Sequence, residues 1–168
     1  MRPRVGSGDT AKVRRPLGPA MACGLWGLCL KGYDLNLFEE MGLPGPLVKK
    51  LAVMGITEPT PIQTHAIPFA LDGEDVMGLA QTGTGKTAAF GLPLLAKLMQ
   101  EPGKPAPKTV RSLILAPTRE LAGQIRDTLV PLVKDSPIKV ALVVGGASIG
   151  AQIKRMQAGT DVLVATPG

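Results

Sequence analysis

Residues 80–87 read Ala-Gln-Thr-Gly-Thr-Gly-Lys-Thr. They follow an aliphatic run at Asp75–Ala80, predicted to be a buried strand, and lead into a helix predicted at Lys86–Gln100. Two glycines let successive backbone N–H groups turn toward one point, where an anion binds. Lys86 would reach the β- and γ-phosphates of a nucleotide, and the Thr87 hydroxyl would bind Mg²⁺. The stretch predicts a phosphate-binding loop; the alternative is a glycine-rich turn that binds nothing.

Further aliphatic and helical stretches surround this loop in alternation. Buried strands are predicted at Ser112–Ala116, Lys139–Val144 and Asp161–Ala165, and helices at Pro46–Met54, Thr60–Leu71, Thr118–Lys134 and Ile149–Ala158. Glu101–Thr109 is rich in proline and predicts a surface loop. Strands that alternate with helices predict an α/β fold in which a parallel sheet is flanked by helices.

Positive charge is concentrated at the start of the chain. The net charge is +6, and residues 1–15 contain five arginines and lysines against Asp9 alone, so they carry +4 of it. The remaining residues are nearly neutral, and net charge is therefore weak evidence for a nucleic-acid partner.

Composition changes near residue 33, which predicts an unstructured extension at 1–33, although a transit segment or a misplaced start are alternatives. Residues 34–64 and 65–168 would form one globular domain. Both cysteines, Cys23 and Cys29, lie in the extension, which argues against a disulfide framework and favours a cytoplasmic location. The apolar run Ala20–Leu30 is too short to span a membrane.

Upstream of the loop, Gly55–Gln63 reads Gly-Ile-Thr-Glu-Pro-Thr-Pro-Ile-Gln. Thr60 and Gln63 have the spacing of a capping box, which would explain them as a helix start alone. A glutamine amide can also accept from adenine N6 and donate to N7, and would favour ATP over GTP by about 1–3 kcal/mol. Phe38 could stack on the same base or pack in the core against Leu47 and Leu51.

Several strings together resemble one family. Phe38, the Gly55–Gln63 segment, the residue 80–87 loop, Pro117-Thr118-Arg119-Glu120-Leu121-Ala122, Gly145-Gly146 and Thr166-Pro167-Gly168 occur in the order found in DEAD-box RNA helicases. They resemble the Q motif with its upstream aromatic residue, motif I, motif Ia, the GG motif and the start of motif Ib. The resemblance covers about residues 35–168.

This resemblance implies an incomplete RecA-like P-loop domain from an ATP-dependent RNA helicase, with ATP and Mg²⁺ as cofactors. The implied ATP-binding residues are Phe38, Gln63, Ala80, Gln81, Thr82, Gly83, Thr84, Gly85, Lys86 and Thr87. The implied contacts to the RNA backbone are Thr118, Arg119, Gly145, Gly146 and Thr166; a capped helix and two ordinary loops are the alternative reading of these five. Accessory proteins cannot be named from the sequence.

The sequence departs from the family in one respect. Residues 1–168 contain no Asp-Glu-Ala-Asp string, which in the family holds Mg²⁺ and polarises the attacking water. Lys86 and Thr87 alone should not hydrolyse ATP, so we expect a truncated domain that is inactive by itself and exposes an apolar sheet edge. A DNA helicase and a non-enzymatic ATP- or RNA-binding product are the alternatives. A GTPase is disfavoured because no Asn-Lys-x-Asp string is present.

Overall fold

The computed structural model describes residues 36–101 and 103–167, so the extension predicted at 1–33 lies outside the described residues. In the described part, the helices are α1 Leu37–Glu40, α2 Gly45–Val53, α3 Pro61–Asp72, α4 Lys86–Gln100, α5 Arg119–Val133 and α6 Ile149–Met156. The strands are β1 Val110–Leu115, β2 Val140–Val143 and β3 Thr160–Ala165. Apart from α1, these elements begin and end within two residues of the predicted bounds.

The three strands form a parallel sheet in the order β1-β3-β2, which confirms the predicted fold class. In the register of the sheet, Ser112 pairs with Val162 and Val143 pairs with Ala165. Helix α5 connects the two outer strands, and α6 returns the chain to the central one. Because all three strands run in the same direction, their carboxyl ends lie at one edge of the sheet.

The core is mostly aliphatic, which agrees with the 3% of aromatic residues in the chain. Val162 and Val164 of the central strand β3 are fully buried, and so are Leu92 and Leu95 of α4 and Leu129 of α5. Burying a leucine or valine side chain stabilises a fold by about 1.5–3 kcal/mol. Helix α5 packs against β3, and the buried leucines of α4 belong to the same hydrophobic cluster.

The strand predicted at Asp75–Ala80 is absent, and this prediction is wrong. Residues 74–80 form no regular secondary structure and pair with no strand of the described residues, and the side chains of Met77 and Leu79 are both 89% exposed. An aliphatic run forms a strand only where a neighbouring strand satisfies its backbone N–H and C=O groups. Leu113 and Leu115 of β1 are also 53% and 62% exposed, which agrees with the expected apolar surface at this side of the sheet.

The amino ends of the strands are joined by one buried carboxylate. Asp161 of β3 is 3% exposed; its Oδ1 accepts a hydrogen bond from the Arg111 guanidinium at 3.1 Å, and its Oδ2 accepts from the Lys139 backbone N–H at 2.9 Å. Arg111 also donates to the carbonyl oxygens of Glu101 and Gly103 in the connection between α4 and β1. These bonds link all three strands and a connecting loop at this edge.

A surface ion pair between Lys50 of α2 and Asp135, which follows α5, gives a small pH-dependent contribution to stability. The hydrogen bond and charge of Lys50 lower the pKa of Asp135. Since the folded-state pKa lies below the unfolded-state value, the contribution is present near neutral pH and disappears as the pH falls through the folded-state pKa. We expect Asp135→Asn to lower the thermal midpoint slightly near neutral pH and to leave it unchanged in acid, measured by circular dichroism.

The same measurement on Lys50→Gln provides the control for this pair. If Lys50 is the partner, Lys50→Gln lowers the midpoint as Asp135→Asn does, and the double variant is no less stable than either single one. Both side chains are solvent-accessible, so the effect is small in any case. Equal midpoint losses at neutral and acid pH would contradict this assignment.

Candidate functional site

The loop at residues 80–87 has the backbone expected of an anion-binding turn. Gly83 and Gly85 have φ values of +82° and +86°, as the sequence predicts for the positions that turn the N–H groups inward. Residues 81–83 are exposed to solvent, and α4 begins directly after the loop at Lys86. A helix that begins directly after such a loop has free backbone N–H groups at its amino end, where anions commonly bind.

The Lys86 side chain folds back over this loop. Its ammonium donates hydrogen bonds to the carbonyl oxygens of Ala80 and Gln81, the second at 3.1 Å. The Thr84 hydroxyl also donates to the Gln81 carbonyl, at 2.8 Å. A nucleotide phosphate would replace these carbonyl oxygens as the partner of the ammonium, since a charged acceptor makes the stronger hydrogen bond.

The start of α3 is hydrogen-bonded to the loop. The Thr60 hydroxyl donates to the Thr84 carbonyl at 2.9 Å, and the Gln63 Nε2 donates to the Gly85 carbonyl at 3.1 Å. The Gln63 Oε1 accepts from the Thr60 N–H at 3.0 Å, which is one bond of the predicted capping box. Both residues therefore bond to carbonyl groups of the loop, and neither bond uses a loop N–H group.

Both ends of the Gln63 amide are bonded within the protein. The residue is only 4% exposed. An amide oxygen and an amide nitrogen can each form one further hydrogen bond, so adenine could still be bound if the side chain were uncovered. The predicted base reading therefore stays a prediction, while the capping alternative and a contact with the loop are observed.

Phe38 belongs to the core in this structure. Its ring is fully buried in the same cluster as Leu43, Leu47 and Leu51. Asn36 begins the short helix α1 by accepting a hydrogen bond from the Phe38 N–H at 3.0 Å, which fixes the residue further. The packing alternative is the one observed, and stacking on a base stays a prediction that requires the ring to be uncovered.

The residues predicted to contact RNA converge at the carboxyl ends of the strands. Thr118 and Arg119 follow β1, Gly145 follows β2 and Thr166 follows β3, and together they line one cleft of about 320 Å³. These residues are distant in sequence, and the parallel sheet brings them together. Ligands of open α/β sheets bind at this edge.

Gly146 is not among the residues that line this cleft, but it lies next to the Arg119 side chain that does. The Arg119 guanidinium donates to the Gly145 carbonyl at 3.3 Å. A Cβ atom on residue 146 would lie 2.6 Å from the same guanidinium, and Gly146 has a φ of +79°. Thr118 caps α5 by accepting from the Leu121 N–H at 3.2 Å. Glycine therefore suits position 146 for its positive φ, and a side chain there would move the exposed Arg119 guanidinium.

The sequence did not reveal three residues at these sites. Thr60 bonds to the phosphate loop, although its spacing to Gln63 suggested only a helix cap. Glu120 lines the cleft of the predicted RNA contacts, where a carboxylate opposes phosphate binding but favours the amino end of α5. Gln152 bonds to the loop between β2 and α6 and carries no sequence signal of its own.

Residues 36–101 and 103–167 contain neither a cluster of metal-binding side chains nor a membrane-spanning helix. No three histidine, cysteine, aspartate or glutamate side chains in that part lie together as a metal-binding group. None of its helices is both long and apolar enough to cross a membrane.

Comparisons with known proteins identify relatives of the chain. The family model for DEAD/DEAH box helicases matches residues 60–168. The chain is 46% identical over 131 residues to the DEAD-box ATP-dependent RNA helicase CshA of Streptococcus pneumoniae, a match that covers 78% of this chain and 24% of that protein. It also resembles the solved structure of the RNA helicase Prp28 from Chaetomium thermophilum bound to ADP. That match has a TM-score of 0.70 and 45% identity, and covers 77% of this chain and 32% of that one.

Proposed function

Because the chain belongs to the DEAD/DEAH box helicase family, we propose that it supplies the ATP-binding loop and part of the RNA-binding surface of an ATP-dependent RNA helicase. It spans about a quarter of the length of the curated relative it matches. ATP hydrolysis and the separation of RNA strands are therefore assigned to the longer protein. The 168-residue polypeptide by itself binds ligands without turning ATP over.

One observation carries the nucleotide part of this proposal. Thr60 and Gln63 are hydrogen-bonded to consecutive carbonyl groups of the phosphate loop, at 2.9 and 3.1 Å. The segment proposed to read the base is thereby held against the segment proposed to hold the phosphates. A nucleotide that spans both segments needs this proximity, and the ADP-bound relative has the same fold.

Magnesium fits the same site. Thr87 is the second residue of α4 and therefore lies beside the loop. Its hydroxyl oxygen is the kind of hard ligand that Mg²⁺ prefers. Mg²⁺ is usually held by one or two protein oxygens together with phosphate oxygens and water. The bound metal would neutralise phosphate charge, Lys86 would hold the β- and γ-phosphates, and the loop N–H groups would orient them.

RNA is the proposed partner of the cleft at the carboxyl ends of the strands. Arg119 brings the positive charge, the helix start at Thr118 presents free N–H groups, and Gly145 lets the backbone approach closely. Such contacts do not read bases, so binding should be independent of sequence and weaken with salt. In the longer protein, ATP-dependent closure of two domains would act on RNA held there.

A cytoplasmic location is also proposed.

ATP binding by the chain tests this function. We expect ATP to displace a fluorescent ATP analogue about tenfold more effectively than GTP, because the Gln63 amide complements adenine. Lys86→Ala should abolish displacement, and Lys97→Ala, at the other end of the same helix, should leave it unchanged. Equal displacement by GTP would refute base reading, and tight binding by Lys86→Ala would refute the phosphate site.

A further inference from the structure

The loop between β2 and α6 carries Gly145, which lines the cleft of the predicted RNA contacts, and its neighbour Gly146, and is held by one side chain from α6. The Gln152 Oε1 accepts from the Val144 N–H at 2.9 Å. Its Nε2 donates to the Val144 carbonyl at 3.2 Å and to the Ala147 carbonyl at 3.3 Å. A single amide therefore bonds to the backbone on both sides of Gly145 and Gly146.

These bonds provide hydrogen-bond partners for the backbone of the first residue after strand β2, where strand pairing ends. Strand β2 stops at Val143, which is the last residue of β2 in register with β3. Beyond it, the N–H and C=O groups of Val144 need other partners, because unpaired backbone groups away from water are costly. Gln152 provides both, so the chain leaves the sheet at Val144 in one fixed direction.

Packing alone does not hold α6 in place. None of its residues is buried, and its apolar side chains Ile149 and Ile153 are 73% and 56% exposed. A helix usually gains most of its stability from an apolar face that is covered by the core. The three bonds of Gln152 are therefore a principal attachment of α6 to the end of β2.

We propose that Gln152 is a positioning residue for the RNA-binding cleft, an inference that rests on the proposed function. It fixes the loop so that the Gly145 carbonyl meets the Arg119 guanidinium and Gly146 leaves room for it. Gln152 itself does not line the cleft. Only glutamine has the reach to accept one bond and donate two here: asparagine is shorter, glutamate cannot donate, and methionine has the length without the bonds.

The experiment compares Gln152→Glu and Gln152→Met with the unchanged chain, and uses Gln157→Met, at the exposed end of α6, as the matched control. Amide hydrogen exchange of Val144, Gly145 and Gly146 is measured without RNA, and the affinities for single-stranded RNA and for ATP are measured separately. We expect exchange to accelerate in the order Gln, Glu, Met. The Met variant should bind RNA about tenfold more weakly and ATP equally well, because three hydrogen bonds are lost far from the phosphate loop. The Gln157 control should match the unchanged chain.

A positioning role also predicts coupling to Arg119. In an Arg119→Ala background, Gln152→Met should weaken RNA binding much less than it does alone, because the guanidinium that bonds to the Gly145 carbonyl is already absent. Unchanged exchange at Val144, or faster exchange with unchanged RNA affinity, would overturn the proposal. Additive losses in the double variant would do the same. If the unchanged chain bound no RNA, the proposed function would fail, while faster exchange in Gln152→Met would still support the anchoring of the loop.

Discussion

Replacing Asp161 with alanine is expected to lower the free energy of unfolding by about 3–5 kcal/mol, because it breaks a buried ion pair and leaves the Arg111 charge with only backbone carbonyl partners. Asp161 is 3% exposed, and the Arg111 side chain opposite it is 20% exposed. The carboxylate also accepts from the Lys139 N–H, so the substitution removes a backbone contact as well. A domain of this size is stabilised by only about 5–15 kcal/mol in total.

Urea denaturation followed by circular dichroism measures this loss. Asp127→Ala is the matched control, because Asp127 also pairs with an arginine, Arg126, but is 65% exposed. We expect the control to differ from the unchanged chain by less than about 1 kcal/mol. Asp161→Asn should lie between the two, since its amide oxygen can still accept from Lys139. An Asp161→Ala chain as stable as the control would show that the amino edge does not depend on this carboxylate.

Gly85→Ala is expected to weaken ATP binding about 100-fold, through two costs of similar size. The first is the φ of +86°, which an alanine adopts only with strain. The second is steric: a Cβ atom on residue 85 would overlap the Gln63 Nε2, and the bond from that nitrogen to the residue 85 carbonyl would break. Both effects turn the loop N–H groups away from the phosphates.

Titration calorimetry with ATP tests this, and Gly73→Ala is a control with the same backbone strain. Gly73 ends α3 with a φ of +88°, and a Cβ atom there would make only an ordinary contact with Lys97, at 3.4 Å. We expect Gly73→Ala to lower the thermal midpoint and to leave the ATP affinity unchanged. Equal affinity losses in the two variants would mean that strain, and not the displacement of Gln63, causes the effect.

Local patterns predicted most of the helices, strands and the phosphate loop. The bounds of α4 matched because Gly85 precedes it and a proline-rich loop follows it, and both signals act within a few residues. The cleft of Thr118, Gly145 and Thr166 was predicted by family resemblance and is explained by the parallel sheet, which puts the residues after each strand at one edge.

The errors concern features that depend on distant partners. The run at Asp75–Ala80 has the composition of a strand, but composition cannot say whether a neighbouring strand is there to pair with it. For Gln63 and Phe38, the structure adds contacts that local patterns do not specify, with Gly85 and with the core, and base binding by both residues stays a prediction. The role of Gln152 depends on where α6 lies, and no local pattern records that.

The two edges of the sheet differ in a way that matters for protein engineering. The ion pair of Arg111 and Asp161 lies at the amino ends of the strands, and the cleft that includes Gly145 lies at the carboxyl ends. Laboratory selection for heat resistance could therefore randomise the neighbours of the ion pair while the ligand contacts keep their wild-type residues. A library of that design would separate gains in durability from changes in recognition, which are usually entangled when both depend on the same residues.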